Sequence, residues 1–192
     1  MIHAAHLRTE YLENPVGIDI ATPRFFWTVE GAKKQTACQV TAVTNDQVIW
    51  DSGKVVTSSM RMRYSGPELK SRQRVDWSVT LWDEHDVQGQ TTTAHFEMGL
   101  PSPSDWSASW ITADLEIDKK SRYPVDHFKK SFMVNKQVKQ ARLYITACGL
   151  YEAELNSEKV GNAELTPGLT DYRKRVQDRK STRLNSSHVS ES

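Results

Sequence analysis

Residues 75–81 alternate without a break: Val75, Trp77, Val79 and Leu81 are apolar, and Asp76, Ser78 and Thr80 between them are polar. A period of two predicts a strand with one buried face, because successive side chains leave opposite sides of the pleat. Trp82 breaks the alternation and is expected on the outer face or over an edge. The same period recurs in Phe25-Trp27-Val29, Cys38-Val40-Ala42 and Thr92-Ala94-Phe96-Met98. Turn formers separate these runs: Asn14-Pro15, Thr22-Pro23, Asn45-Asp46, Asp51-Ser52-Gly53, Ser65-Gly66-Pro67 and Gln88-Gly89. About seven short strands with turns every 8–12 residues predict an antiparallel β-sandwich over residues 1–99, with Trp27, Trp77, Val79, Leu81 and Phe96 in its core.

Residues 100–111 read as a linker. Pro101 and Pro103 keep it extended, and Trp106 and Trp110 are expected to wedge into the interface between two domains. Strands return over residues 112–177: Phe128 to Val134, then Ala141-Leu143-Ile145-Ala147, then Tyr151-Ala153-Leu155. Asn156-Ser157 follows as a two-residue hairpin turn, in which both central residues need positive φ. The fold class expected is all-β throughout.

The tail reads differently. Asp178 to His188 matches, residue for residue, the translation of a common sequencing-library adapter, with the preceding A completing the codon of Gln177. Residues 178–192 are therefore expected to be an adapter-derived, disordered tail, with the natural reading frame running on past Gln177. The tail carries Arg179, Lys180 and Arg183 against Asp178 and Glu191. Leaving it out brings the balance to 22 basic and 22 acidic residues, against 25 and 24 for the whole chain. Either balance argues against nucleic acid or an anionic membrane as partner. No apolar run is long enough to span a bilayer, and the first residues lack a signal-peptide core, so the expectation is cytoplasmic.

Candidate chemistry is sparse. Cys38 and Cys148 are expected to be buried free thiols in separate domains. Asp83-Glu84-His85-Asp86 reads as a solvated turn. His3, His6, His85, His95 and His127 have no zinc-ligand spacing.

Several segments together resemble the bacterial α-L-rhamnosidases. They are Leu7 to Asp19 (LRTEYLENPVGID), Trp50 to Val55 (WDSGKV), Leu69 to Arg74, Phe96 to Leu100, Ala141 to Ile145, Gly149 to Glu152 and Leu165 to Tyr172 (LTPGLTDY). Leu69, Val75, Trp77 and Val79 also resemble the late strands of fibronectin type III domains, with Val75 where that family usually places a tyrosine that ties its corner. The resemblance implies a fibronectin type III-like sandwich followed by the first part of a galactose-binding-like (jelly-roll) sandwich, truncated at 177. It implies a parent that hydrolyses terminal α-L-rhamnose with inversion, on a helical barrel outside this chain, with rhamnosyl-containing carbohydrate as its partner. No catalytic residue is thus expected here. In some relatives the second sandwich binds rhamnose with calcium, which by resemblance points to Asn162, Glu164 and Asp171 as sugar or calcium ligands. The competing function is a stand-alone carbohydrate-binding or interaction module; whether the chain counts as an enzyme is left open between the two.

Overall fold

The computed structural model describes residues 1–114, 125–138, 140–161, 164 and 166–174, and the backbone of 178–184. The first nine strands are β1 (His3–Thr9), β2 (Val16–Ile18), β3 (Arg24–Glu30), β4 (Ala37–Thr44), β5 (Gln47–Asp51), β6 (Val55–Val56), β7 (Arg61–Arg63), β8 (Arg74–Trp82) and β9 (Thr92–Met98). They form two sheets, β1-β3-β7 and β2-β9-β8-β4-β5, with β6 also on β4. Strand β2 runs parallel to β9, while the other pairings in both sheets are antiparallel.

The alternating residues meet between the sheets as their period requires. Trp77, Val79, Leu81 and Phe96 are all at most 1% exposed, and Trp27 is 3% exposed. Phe25 centres an aromatic cluster, 4.5 Å from Trp77 and 6.0 Å from Phe96 between ring centroids. The Trp27 indole donates to buried Gln35 at 2.9 Å, and the Gln35 amide donates in turn to the carbonyls of Thr57 and Ser59. A buried amide is thereby satisfied on both ends. Trp82 lies on the other side of β8, under the Lys54 ammonium at 4.7 Å from the ring centroid.

The corner that Val75 cannot tie is tied from elsewhere. Tyr64, 1% exposed, donates its hydroxyl to the Pro67 carbonyl at 2.9 Å. Gly66 makes that possible: a β-carbon there would lie 2.6 Å from the Tyr64 hydroxyl and from the Trp50 β-carbon.

Beyond the sandwich the strands are β10 (Ala141–Thr146), β11 (Glu154–Leu155), β12 (Glu158–Lys159) and β13 (Asp178–Leu184). Asn156 and Ser157 close the β11–β12 hairpin at φ 52° and 67°, the left-handed pair the sequence requires. Four expectations need correction. Phe128 to Val134 forms no strand, and Phe128, Phe132, Met133 and Val134 are all exposed, since apolar composition makes a strand only where a neighbour offers a ladder. Trp110 does not wedge into an interface; it is 66% exposed, whereas Trp106 is half-buried. Cys148 is exposed, while Cys38 is buried and its thiol is pushed up to about 11 by that burial. The disordered tail also departs from expectation over Asp178–Leu184, which pairs antiparallel with β10, from Asp178 opposite Thr146 to Leu184 opposite Ala141. Ladder bonds belong to the backbone, so an open strand edge accepts a partner without apolar alternation. Residues 185–192 lie outside the described residues.

Candidate functional site

Sandwich and second segment meet in a cleft of about 440 Å³ lined by Arg72, Arg74, Glu97, Gln140, Arg142 and Tyr144. Arg74 and Glu97 are cross-strand partners on β8 and β9, and both leave the outer face of their sheet. Arg72 precedes β8 in a turn held by Gln73 N–H to the Lys70 carbonyl and Arg72 N–H to the Gly99 carbonyl. From the other side come Gln140, the residue before β10, and Arg142 and Tyr144 on it, spaced two apart and hence on one face.

Glu97 is the centre. It is an outward position of β9, yet only 6% exposed, because Arg142 closes over it. Arg142 Nε donates to Glu97 Oε2 at 2.7 Å and Nη2 donates to Oε1, a two-pronged pair in which the Arg142 side chain is 11% exposed. Such forked bonds fix orientation as well as distance. With its amide oxygen turned toward Arg142, Gln140 accepts from Nη1 at 3.0 Å. Arg74 stands 4.0 Å from the same carboxylate and is held by Asp76 at 2.9 Å, which keeps its guanidinium charged, Glu97 adding to the effect. Arg72 lies over the Tyr144 ring at 5.5 Å and donates to the Asp105 carbonyl at 3.2 Å. Burial raises the Tyr144 phenol above its ordinary range. The arrangement clamps one β-unit against another through a desolvated ion pair.

Two of the three residues that resemblance pointed to, Glu164 and Asp171, are among the described residues. Asn162 lies outside the described residues. Glu164 is exposed and accepts from the Lys159 ammonium at 2.6 Å, which holds its carboxyl below the usual range; Lys159 also reaches Glu152 at 3.2 Å. Asp171 is exposed and faces Arg173 and Lys174 at 3.9–4.0 Å. Among the described residues no group of three or more His, Cys, Asp or Glu converges on a metal position. The Asp83–Asp86 segment is a turn as expected, with His85 and Asp86 exposed but Asp83 and Glu84 half-buried: Asp83 accepts from the backbone N–H groups of His85 and Val87, which lower its pKa, that of Val87 most.

Comparison with known proteins fits this two-part arrangement. Residues 4–102 match the model described as the Rha78A-like, N-terminal immunoglobulin domain. Residues 136–180 match the alpha-L-rhamnosidase N-terminal domain. An all-β chain with an immunoglobulin-like sandwich at its start is therefore the class. The chain belongs to the α-L-rhamnosidase family, in whose amino-terminal domain region it lies.

An alpha-L-rhamnosidase of Alteromonas sp. (strain LOR) is 35% identical over 182 residues, which cover 85% of this chain and 20% of that protein. One from Formosa agariphila is 34% identical over 192 residues, covering 91% of this chain and 21% of that protein. The chain thus spans about a fifth of the length of these relatives. Among solved structures, the alpha-L-rhamnosidase from Dictyoglumus thermophilum superposes with a TM-score of 0.82 at 33% identity, over 97% of this chain and 24% of that one. The Streptomyces avermitilis alpha-L-rhamnosidase complexed with L-rhamnose shares the fold, with a TM-score of 0.58 at 24% identity, over 94% of this chain and 20% of that one.

Proposed function

We propose that this chain is a non-catalytic amino-terminal scaffold of an α-L-rhamnosidase, whose task is to hold the second β-unit at a fixed angle to the first. In that reading the full-length parent cleaves terminal α-L-rhamnose with inversion, using carboxylates outside these residues about 6.5–9.5 Å apart across the glycosidic bond. Rhamnosyl-containing carbohydrate is then the parent's substrate, and the second unit is the opening part of a galactose-binding-like sandwich. The observation that carries the reading is the forked Glu97–Arg142 pair, set between the two segments that match amino-terminal domains of this family.

The test is hydrolysis of an aryl α-L-rhamnoside by the purified chain. Aryl release no greater than that of a mock preparation is expected, because positioned acid and base groups lie elsewhere. Release well above the mock would overturn the non-catalytic assignment.

A further inference from the structure

A second built cluster lies on the outer face of the other sheet, away from the junction. After β1, Thr9 and Leu12 exchange both backbone bonds across a two-residue turn made by Glu10 and Tyr11, at φ 48° and 68°. Left-handed backbone at both positions favours Asn-Gly, and a glutamate and a tyrosine occupy them at a cost. Strain of this kind persists where surrounding structure enforces it, often where a surface has work to do.

What holds the turn is explicit. The Glu10 carboxylate, its side chain 8% exposed, accepts from Arg24 N–H at 2.6 Å, from Nε at 3.1 Å and from Nη2 at 2.6 Å. The Arg24 guanidinium sits 5.0 Å from the Tyr11 ring centroid and 5.7 Å from that of Phe26. Tyr11 stacks on Phe26 at 4.5 Å and still leaves 58% of itself exposed. An aromatic plate is thus fixed on the surface by a turn, a ring and a cation.

Around the plate the charge is one-sided. Phe26 lies opposite Arg8 of β1 and Arg61 of β7, and Arg24 lies opposite Arg63. Arg8 leans to Glu13 at 3.7 Å, and Glu10 neutralises Arg24. Arg61 and Arg63 are exposed and have no carboxylate within 4.0 Å among the described residues. Four guanidinium groups therefore face two carboxylates beside a flat, rigid ring.

We propose that this face binds an anionic saccharide, the exposed Tyr11 ring stacking on the C–H face of a pyranose while Arg61 and Arg63 hold a carboxylate or sulfate. Guanidinium groups suit such planar or tetrahedral oxyanions, and a plate fixed before binding loses little entropy on contact. An acidic peptide offers the charge without the stacking face, and the preference for saccharide over peptide rests on the family reading above. Hydrolysis plays no part, so failure of binding leaves that reading intact, and activity in the purified chain would leave this one intact.

The experiment is NMR titration of the 15N-labelled full chain with four probes: an oligogalacturonate, a sulfated disaccharide, methyl α-L-rhamnoside and oligoglutamate. One or both charged saccharides should shift amides of residues 9–13, 24–26 and 61–63, less so as salt is added, and which of them binds tells carboxylate from sulfate. The double variant R61S/R63S should weaken binding about tenfold or more. Tyr11→Asn, which tolerates the left-handed turn, should keep the melting temperature and lose the shifts. The proposal falls if neither charged saccharide gives localised shifts, or if the neutral rhamnoside binds as well. It falls equally if oligoglutamate alone shifts the site, or if Tyr11→Asn binds like the parent chain.

Discussion

Arg142→Ala removes the guanidinium that covers Glu97, and the structure says how the molecule must respond. Glu97 is buried only because β10 lies over an otherwise outward position of β9. The variant can keep β10 in place over an unpaired carboxylate, with Arg74 4.0 Å away, or release β10 and let water reach the charge. Leaving a buried carboxylate without its partner costs about 3–5 kcal/mol. Release avoids that and forfeits the docking instead. Charge-assisted hydrogen bonds are worth about 1.5–3 kcal/mol. A seam whose two side chains are 9% and 11% exposed, and which also loses the Gln140 contact, belongs in the middle of that range. Taken as about 2 kcal/mol, the loss speeds exchange of amides that open on undocking about thirtyfold. Hydrogen exchange by mass spectrometry on Arg142→Ala, Glu97→Gln and the double variant reads this directly. Amides 141–146 should accelerate in either single variant, amides 75–81 should not, and the double variant should be no worse than the worse single one. Unchanged exchange at 141–146 in Arg142→Ala, or simple addition of the two effects, would refute the clamp.

Trp77→Ala should cost about 3–5 kcal/mol and unfold or nearly unfold the sandwich. Trp77→Phe should cost much less, because the buried indole N–H has no partner to lose; a Trp77→Ala melting point within a degree or two of the parent would remove Trp77 from the core. The Glu10 carboxyl is held below its usual range chiefly by its bond with Arg24. A depressed folded pKa means its stabilisation is present above the unfolded value near 4.3 and is lost as pH falls through the folded one. Glu10→Gln should therefore flatten the acid limb of a melting-temperature profile, and an unchanged limb would contradict the pairing. In the unaltered chain, amides 141–155 should exchange faster than 75–81, since every residue of β10 is only half-buried; equal protection in a monomer would show a stable second unit.

The sandwich was legible because its signal is local: a period of two in one strand names that strand's buried face, and Trp77, Val79 and Leu81 fell where it put them. The junction was not legible. Glu97 sits at a polar step of a clean alternation and reads as solvent-facing, and its burial depends on Arg142, 45 residues away. Nothing local marks that partnership. The Tyr64 corner was hidden for a similar reason, since its tie to Pro67 stands outside the strand where the family pattern places a tyrosine. Phe128 to Val134 misled in the opposite direction: hydrophobicity was present, and no ladder formed on it. For Asp178–Leu184 the adapter match argued for disorder, while an open edge on β10 supplied a ladder that such a match does not register.

The scaffold reading is tested most directly by sequencing the source locus beyond the codon for Gln177, from template that has never carried an adapter. The frame should leave the Asp178–His188 sequence at once and continue for several hundred residues, first completing a β-sandwich and then showing helical periodicity with paired carboxylates. A stop codon within a few residues of Gln177 would contradict it and leave a self-standing β-module in its place.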